Sequence, residues 1–188
     1  TLPHLVFAIG RVDEPRETHN LLDALYDSCA QVNTFKLSTI MSYCKAYPHH
    51  VKAVIDSKDG QYSPMPLAGA VGDSAVLGAL STMLPVLVVL YTPYTRADGT
   101  PVYMSFACGE CLSIKCIVGM PTLWDMGPAS IELNSMRVVC PNWDIQQLPL
   151  KMTAPNDDPL PIESHPLGPL SNECAQSRTK SNIKSVHA

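Results

Sequence analysis

The sequence predicts a small, mostly β domain with two or three short helices, followed by a tail that has no core of its own. Three observations carry this. Short apolar runs rich in β-branched and aromatic residues recur from residue 2 to about 140, each bounded by Gly, Pro or Asx residues. Two Asp-Gly pairs, Asp59-Gly60 and Asp98-Gly99, stand between such runs as turn signals. After about Pro141 the texture changes: residues 149–188 hold six of the 17 prolines and almost no apolar periodicity, so a linker or tail is predicted there. The expected division is a domain over 1–142 and a Pro-rich tail over 143–188.

The elements follow in order. LPHLVFAIG (2–10) reads as a strand stopped by Gly10, and residues 11–20 as a polar loop. LLDALY (21–26) reads as a second strand that leads into Asp27. In TFKLSTIMSYCKAY (34–47), Phe35, Leu37, Ile40, Met41 and Cys44 fall near one helical face, with Thr34 as cap and Pro48 as stop. VKAVID (51–56) is a strand, and 57–66 a turn region around Asp59-Gly60. LAGAVGD (67–73) is small and glycine-punctuated, as a ligand-covering hairpin would be. PVLVVLYTPY (85–94) and PVYMSFACG (101–109) form a hairpin around Asp98-Gly99. SIKCIVG (113–119) is a buried strand. MPTLWDMG (120–127) is a short helix with Pro121 in its first turn and Gly127 as its stop. ASIELNSMRVVC (129–140) alternates as a hairpin arm.

Composition narrows the function classes. The chain has 188 residues, 46% hydrophobic and 16% charged, enough for one domain with a real core. The net charge of −4 and the lack of a basic patch argue against nucleic acid as a direct ligand. Seven cysteines without a regular framework fit reduced thiols and an intracellular, cytoplasmic setting. The chain begins at Thr1 rather than a methionine, as an excised piece of a longer protein would, and shows no basic leader with an apolar run. Residues 74–95 carry no charge and could span a bilayer by length, but Pro85 splits them and VLVVLY suits a buried strand, so no membrane span is predicted.

The stretch that stands out is ALYDSCA (24–30). It places an acid at the tip of an apolar strand and follows it with three small residues, Ser28, Cys29 and Ala30. A second strand end, CIVGMPTL (116–123), has two apolar residues, then Gly119, then a short helix. This pair, in this order, resembles the retropepsins, the aspartic proteases of retroviral and retrotransposon polyproteins. The resemblance covers roughly residues 3–142. It implies an all-β, closed acid-protease-like barrel with one lobe per chain, and a homodimer with one catalytic Asp from each copy. It implies Asp27 as the catalytic acid/base and Ser28 as a brace to the partner's loop. Ala30 would line the substrate floor, and Gly119 would allow close backbone contact behind Asp27. Cys29 stands where the family has glycine: its N–H can still serve the carboxylate, but its side chain crowds the dyad axis, with strain added if φ is positive there.

The remaining motifs are weaker. The resemblance places a flap at about 57–72, around Gly60 and Gly69. Asp73-Ser74 offers a second Asp-Ser, but no second apolar-apolar-Gly strand follows it, so a single-chain two-lobed enzyme is not expected. CGEC (108–111) with Cys116 has the spacing of half a zinc site and lacks a second pair, so it reads as reduced thiols at a turn. His49-His50 reads as a surface pair, a metal role needing carboxylate neighbours. Trp124 is expected in the core, anchoring its helix, and Trp143 as a packing residue. No metal or cofactor is called for. The function read from the sequence is an aspartic endopeptidase acting on its own polyprotein; the alternative is an inactive module of the same fold that dimerises or binds.

Overall fold

The computed structural model describes residues 2–67, 82–110, 112, 114–127, 130–132, 134–145 and 147–153. Its strands are β1 (Leu2–Ile9), β2 (Asn20–Tyr26), β3 (Thr34–Lys36), β4 (Val51–Asp56), β5 (Met65–Leu67), β6 (Thr82–Leu84), β7 (Val86–Thr95), β8 (Pro101–Gly109), β9 (Cys116–Val118), β10 (Ser130–Glu132), β11 (Arg137–Val139) and β12 (Gln147–Thr153). Among the described residues two α-helices join them, α1 (Leu37–Ala46) and α2 (Met120–Met126). The mostly β reading with short helices therefore holds.

Ten strands form one sheet in the order β10-β11-β12-β1-β2-β9-β3-β8-β7-β4, and β5 pairs with β6 separately. Alternation is cleanest in β7, where every second residue is buried, because this strand packs one face on the core and leaves the other half-covered. β1 lies mid-sheet and buries four consecutive residues, His4 to Phe7. The core gathers Leu5, Phe7, Leu22, Phe35, Ile40 and Tyr43 with Val88, Met104, Phe106 and Val118.

The expected closed barrel is corrected: the sheet is open, with β10 and β4 at its ends. Its twist nevertheless curls β1 against β7, five places away in the order. The Gly10 N–H donates to Tyr91 O (3.0 Å), and the Ala8 N–H to the Tyr94 hydroxyl (2.7 Å). These are isolated bonds, not a ladder, so the curl does not close.

Other corrections are local. The helix expected over 34–47 starts at Leu37, and Lys36, not Thr34, precedes it without a side-chain cap. Thr34 and Phe35 are drawn instead into β3, pairing with Ala107 and Cys108 on one side and Ile117 and Cys116 on the other. A buried β-branched and aromatic pair gains more from two neighbouring strands than from a first helical turn. The boundary at 142 does not coincide with the end of the sheet. β12 lies beyond it and pairs with both β1 and β11, burying Leu148 and Leu150. Pro149 and the short alternation hid this strand among turn-like residues.

Trp124 is not in the core; it is 74% exposed. α2 buries Thr122, Leu123 and Met126, and the 100° step per residue turns Trp124 to the opposite side. Trp143 takes the core place, stacked on Tyr94 at 5.3 Å and edge-on to Phe7 at 6.3 Å. Asp125 fixes this register, accepting from Arg96 Nε (2.7 Å) and Trp143 Nε1 (3.1 Å). Gly127 ends the helix at φ 94°, as expected. Among the described residues no helix is long and apolar enough to cross a membrane.

Candidate active site

The site follows from strand order. β9 lies between β2 and β3, parallel to the first and antiparallel to the second. The chain leaving β2 at Tyr26 must therefore step over β9, about 10 Å across two strand spacings, to begin β3. Residues 27–33 make that step, and the exit of β9 lies directly against them.

Backbone bonds fix the crossing. The Asp27 N–H donates to Val118 O (3.1 Å), the Ala30 N–H to Asp27 O (3.2 Å), and the Met120 N–H to Ala30 O (2.8 Å). Gly119 is required by closeness: a Cβ there would sit 2.4 Å from Ala30 O and 2.8 Å from Ala30 Cβ. Its φ of −115° is open to any residue, so space and not conformation selects glycine. Asp27 and Gly119, 92 residues apart in sequence, are thus brought to one loop, with Ser28, Cys29 and Ala30 between them.

The Asp27 carboxylate is half-buried, and its Oδ1 accepts the Cys29 N–H at 3.0 Å. Ser28 and Cys29 are exposed. Among the described residues the non-glycine residue with positive φ is Met136 (52°), so Cys29 carries no left-handed strain. Tyr26, Ser28, Met120, Leu123 and Trp124 line an open depression beside the loop. What these groups offer chemically is a carboxylate oriented by one backbone donor, partly open to water, with a hollow of mixed polar and apolar lining next to it.

Asn33 was not singled out from the sequence, yet it locks the site. Its Oδ1 accepts the Gly119 N–H (2.9 Å), and its Nδ2 donates to Thr122 Oγ1 (2.7 Å) and Ser105 O (3.2 Å). It is buried, and both amide hydrogens and the carbonyl oxygen are engaged. Its partners lie 72 to 89 residues away, so no local pattern reveals it.

Of the flap residues, Gly60 follows a 3₁₀ turn over Ser57–Asp59 at φ 74°, ahead of the β5–β6 pair. Gly69 and Asp73 lie outside the described residues. In the CGEC motif, Cys108 is buried at the end of β8 and Cys111 lies outside the described residues. Burial pushes the thiols of Cys108 and Cys116 well up, Cys44 up to about 12 and Cys140 up to about 11. Burial thus favours the neutral thiol at each of these four sulfurs.

No family model matches the sequence, and no curated protein is similar to it. Among solved structures, the chain is similar to the retroviral protease-like domain of Ddi1 from Leishmania major. That similarity has 15% sequence identity and a TM-score of 0.40, over 82% of this chain and 99% of that one.

Proposed function

We propose that this chain is an aspartic endopeptidase of retropepsin type, active as a homodimer in which each copy supplies Asp27. The observation that carries the reading is the crossing loop: Asp27 is tied to Val118, its Oδ1 is held by the Cys29 N–H, and Gly119 packs behind without a side chain. Two such carboxylates about 3 Å apart cannot both ionise, so they share one proton. The ionised one takes a proton from water, whose oxygen attacks the peptide carbonyl; the protonated one then delivers its proton to the departing nitrogen. Ser28, exposed next to Asp27 in the chain, would brace the partner's loop in this reading. The substrate is polypeptide, and the setting is a retrotransposon-type polyprotein processed in the cytoplasm or within a virus-like particle.

A second reading, an inactive dimerisation or binding module, is favoured by one observation: Cys29 carries a side chain where the resembled family has glycine. The test is cleavage of a peptide library at about pH 4–6, where a shared-proton pair works, by wild type and Asp27→Asn. Sedimentation under the same conditions gives the oligomeric state. Cleavage by a dimer that is lost in Asp27→Asn supports the endopeptidase. A folded dimer without cleavage supports the inactive module, and cleavage that survives Asp27→Asn overturns the assignment of Asp27.

A further inference from the structure

At the far end of β2 from Asp27, the turn after β1 meets the corner that joins α1 to β4. Seven residues of β2 separate the two places, about 20 Å. The carboxylate of Glu14, from the turn, enters a group of three histidines. His50 Nε2 lies 2.7 Å from its Oε1, His49 Nε2 3.5 Å from its Oε2, and His19 Nε2 3.9 Å from its Oε1. The sequence offered His49-His50 with no acid in sight; the fold supplies one from 35 residues upstream.

We propose that Glu14, His49 and His50 form a binding site for a divalent transition-metal ion of the zinc class. One ligand atom from each lies within 4.8 Å of the others. A tetrahedral zinc ion with ligands at about 2.0–2.2 Å sets them about 3.4 Å apart. The two Glu14 contacts, 2.7 and 3.5 Å, bracket that spacing, and the exposed His49 ring can swing to complete it.

A second observation points to a ligand. His50 is wholly buried, yet its Nε2 makes no hydrogen bond among the described residues. Its near polar neighbour is Glu14 Oε1, at 2.7 Å.

An outer layer holds both ligands in place. Glu14 Oε1 accepts the Arg11 N–H (2.6 Å) and Oε2 the Thr18 hydroxyl (2.9 Å). His50 Nδ1 meets the Tyr43 hydroxyl at 2.7 Å, and Asn20 Nδ2 donates to that same oxygen at 3.0 Å. In the tautomer whose Nδ1–H donates to Tyr43, the Nε2 lone pair would be free for an ion. His19 Nε2 bonds Arg11 O at 2.8 Å, so it stands beside the site and not in it. The donor set is two imidazoles and one carboxylate with a position open to water. That suits zinc, cobalt or nickel, and not magnesium or calcium, which take oxygen ligands. Bound there, the ion would clip the β1–β2 turn to the α1–β4 corner and stabilise the fold by linkage.

The test uses the full chain without a polyhistidine tag, stripped with a chelator and titrated with Zn²⁺ and Co²⁺. One ion per chain is expected, with a rise in Tm on adding Zn²⁺ and cobalt visible bands that lack thiolate charge transfer. His49→Ala and Glu14→Gln should each weaken Zn²⁺ roughly tenfold or more while the metal-free Tm of His49→Ala, an exposed site, stays near wild type. No saturable binding, affinity unchanged in both variants, or a thiolate band would each overturn the proposal.

Discussion

A methyl group on Gly119 would have nowhere to go, because the atoms it meets are backbone and Cβ of Ala30, not the end of a flexible side chain. Gly119→Ala is therefore expected to cost about 1–3 kcal/mol by overpacking, read from urea denaturation. A loss below a few tenths would mean that the crossing loop yields freely. At the same scale the cysteines divide sharply. Cys29 is exposed, while Cys44, Cys108, Cys116 and Cys140 are buried and hold their protons. Brief alkylation of the native protein should label Cys29, which is open to the reagent, ahead of those four buried thiols by peptide mapping. Equal labelling of Cys116 would show that its strand is not packed as described. Asp27 and Gly119 were legible because each carries a chemical oddity in its local context, an acid on an apolar tip and a glycine on a buried strand end. Asn33 was not, because an asparagine before a strand is ordinary until its three partners arrive from elsewhere.

Among the elements, β12 changes the architecture most. It pairs with β1 from Leu2↔Thr153 to Leu5↔Leu150 and with β11 over Arg137 to Val139. Lys151 on it also bonds the buried Asp23 of β2 at 2.9 Å. Truncation after residue 142 removes Leu148 and Leu150 from the core and leaves Asp23 buried without its cation. Two buried leucines alone are worth on the order of 3–6 kcal/mol, comparable to the whole stability of a small domain. The truncated chain is expected to be unfolded or to melt far below wild type; a shift of only a few degrees would show that β12 is dispensable. This strand was hidden from sequence reasoning because its buried face is only Leu148 and Leu150, alternating with the turn-like Pro149 and the charged Lys151. α2 was found within a residue by its Pro121 start and Gly127 stop, but which side it buries was not. Asp125, reaching Arg96 and Trp143, decides that, and neither partner is near it in sequence.

For the molecule as a whole, the curl of the sheet depends on β1 meeting β7, and Tyr94 marks that meeting. Burial raises its hydroxyl to about 12, with the Ala8 N–H opposing. An unfolded tyrosine ionises near 10, so the native state holds this proton more tightly. Its contribution is complete below about pH 10 and is lost as pH rises through about 12. Denaturant midpoints should fall between about pH 10 and 12 in wild type, with a shallower fall in Tyr94→Phe. Identical slopes would show that Tyr94 is not buried between the strands.

Most of the elements, the two strand ends that meet at Asp27 and Gly119, and the Asp98-Gly99 hairpin are legible in the chain of residues alone. These are written in short-range patterns: alternation, turn dipeptides, a proline at a helix start. The tertiary structure alone decided that the sheet stays open, that Trp143 and not Trp124 is core, that Asn33 locks the loop, and that Glu14 lies among His19, His49 and His50. Each of these depends on groups tens of residues apart competing for the same buried space or the same hydrogen-bond partner, and that competition exists only once the chain has folded.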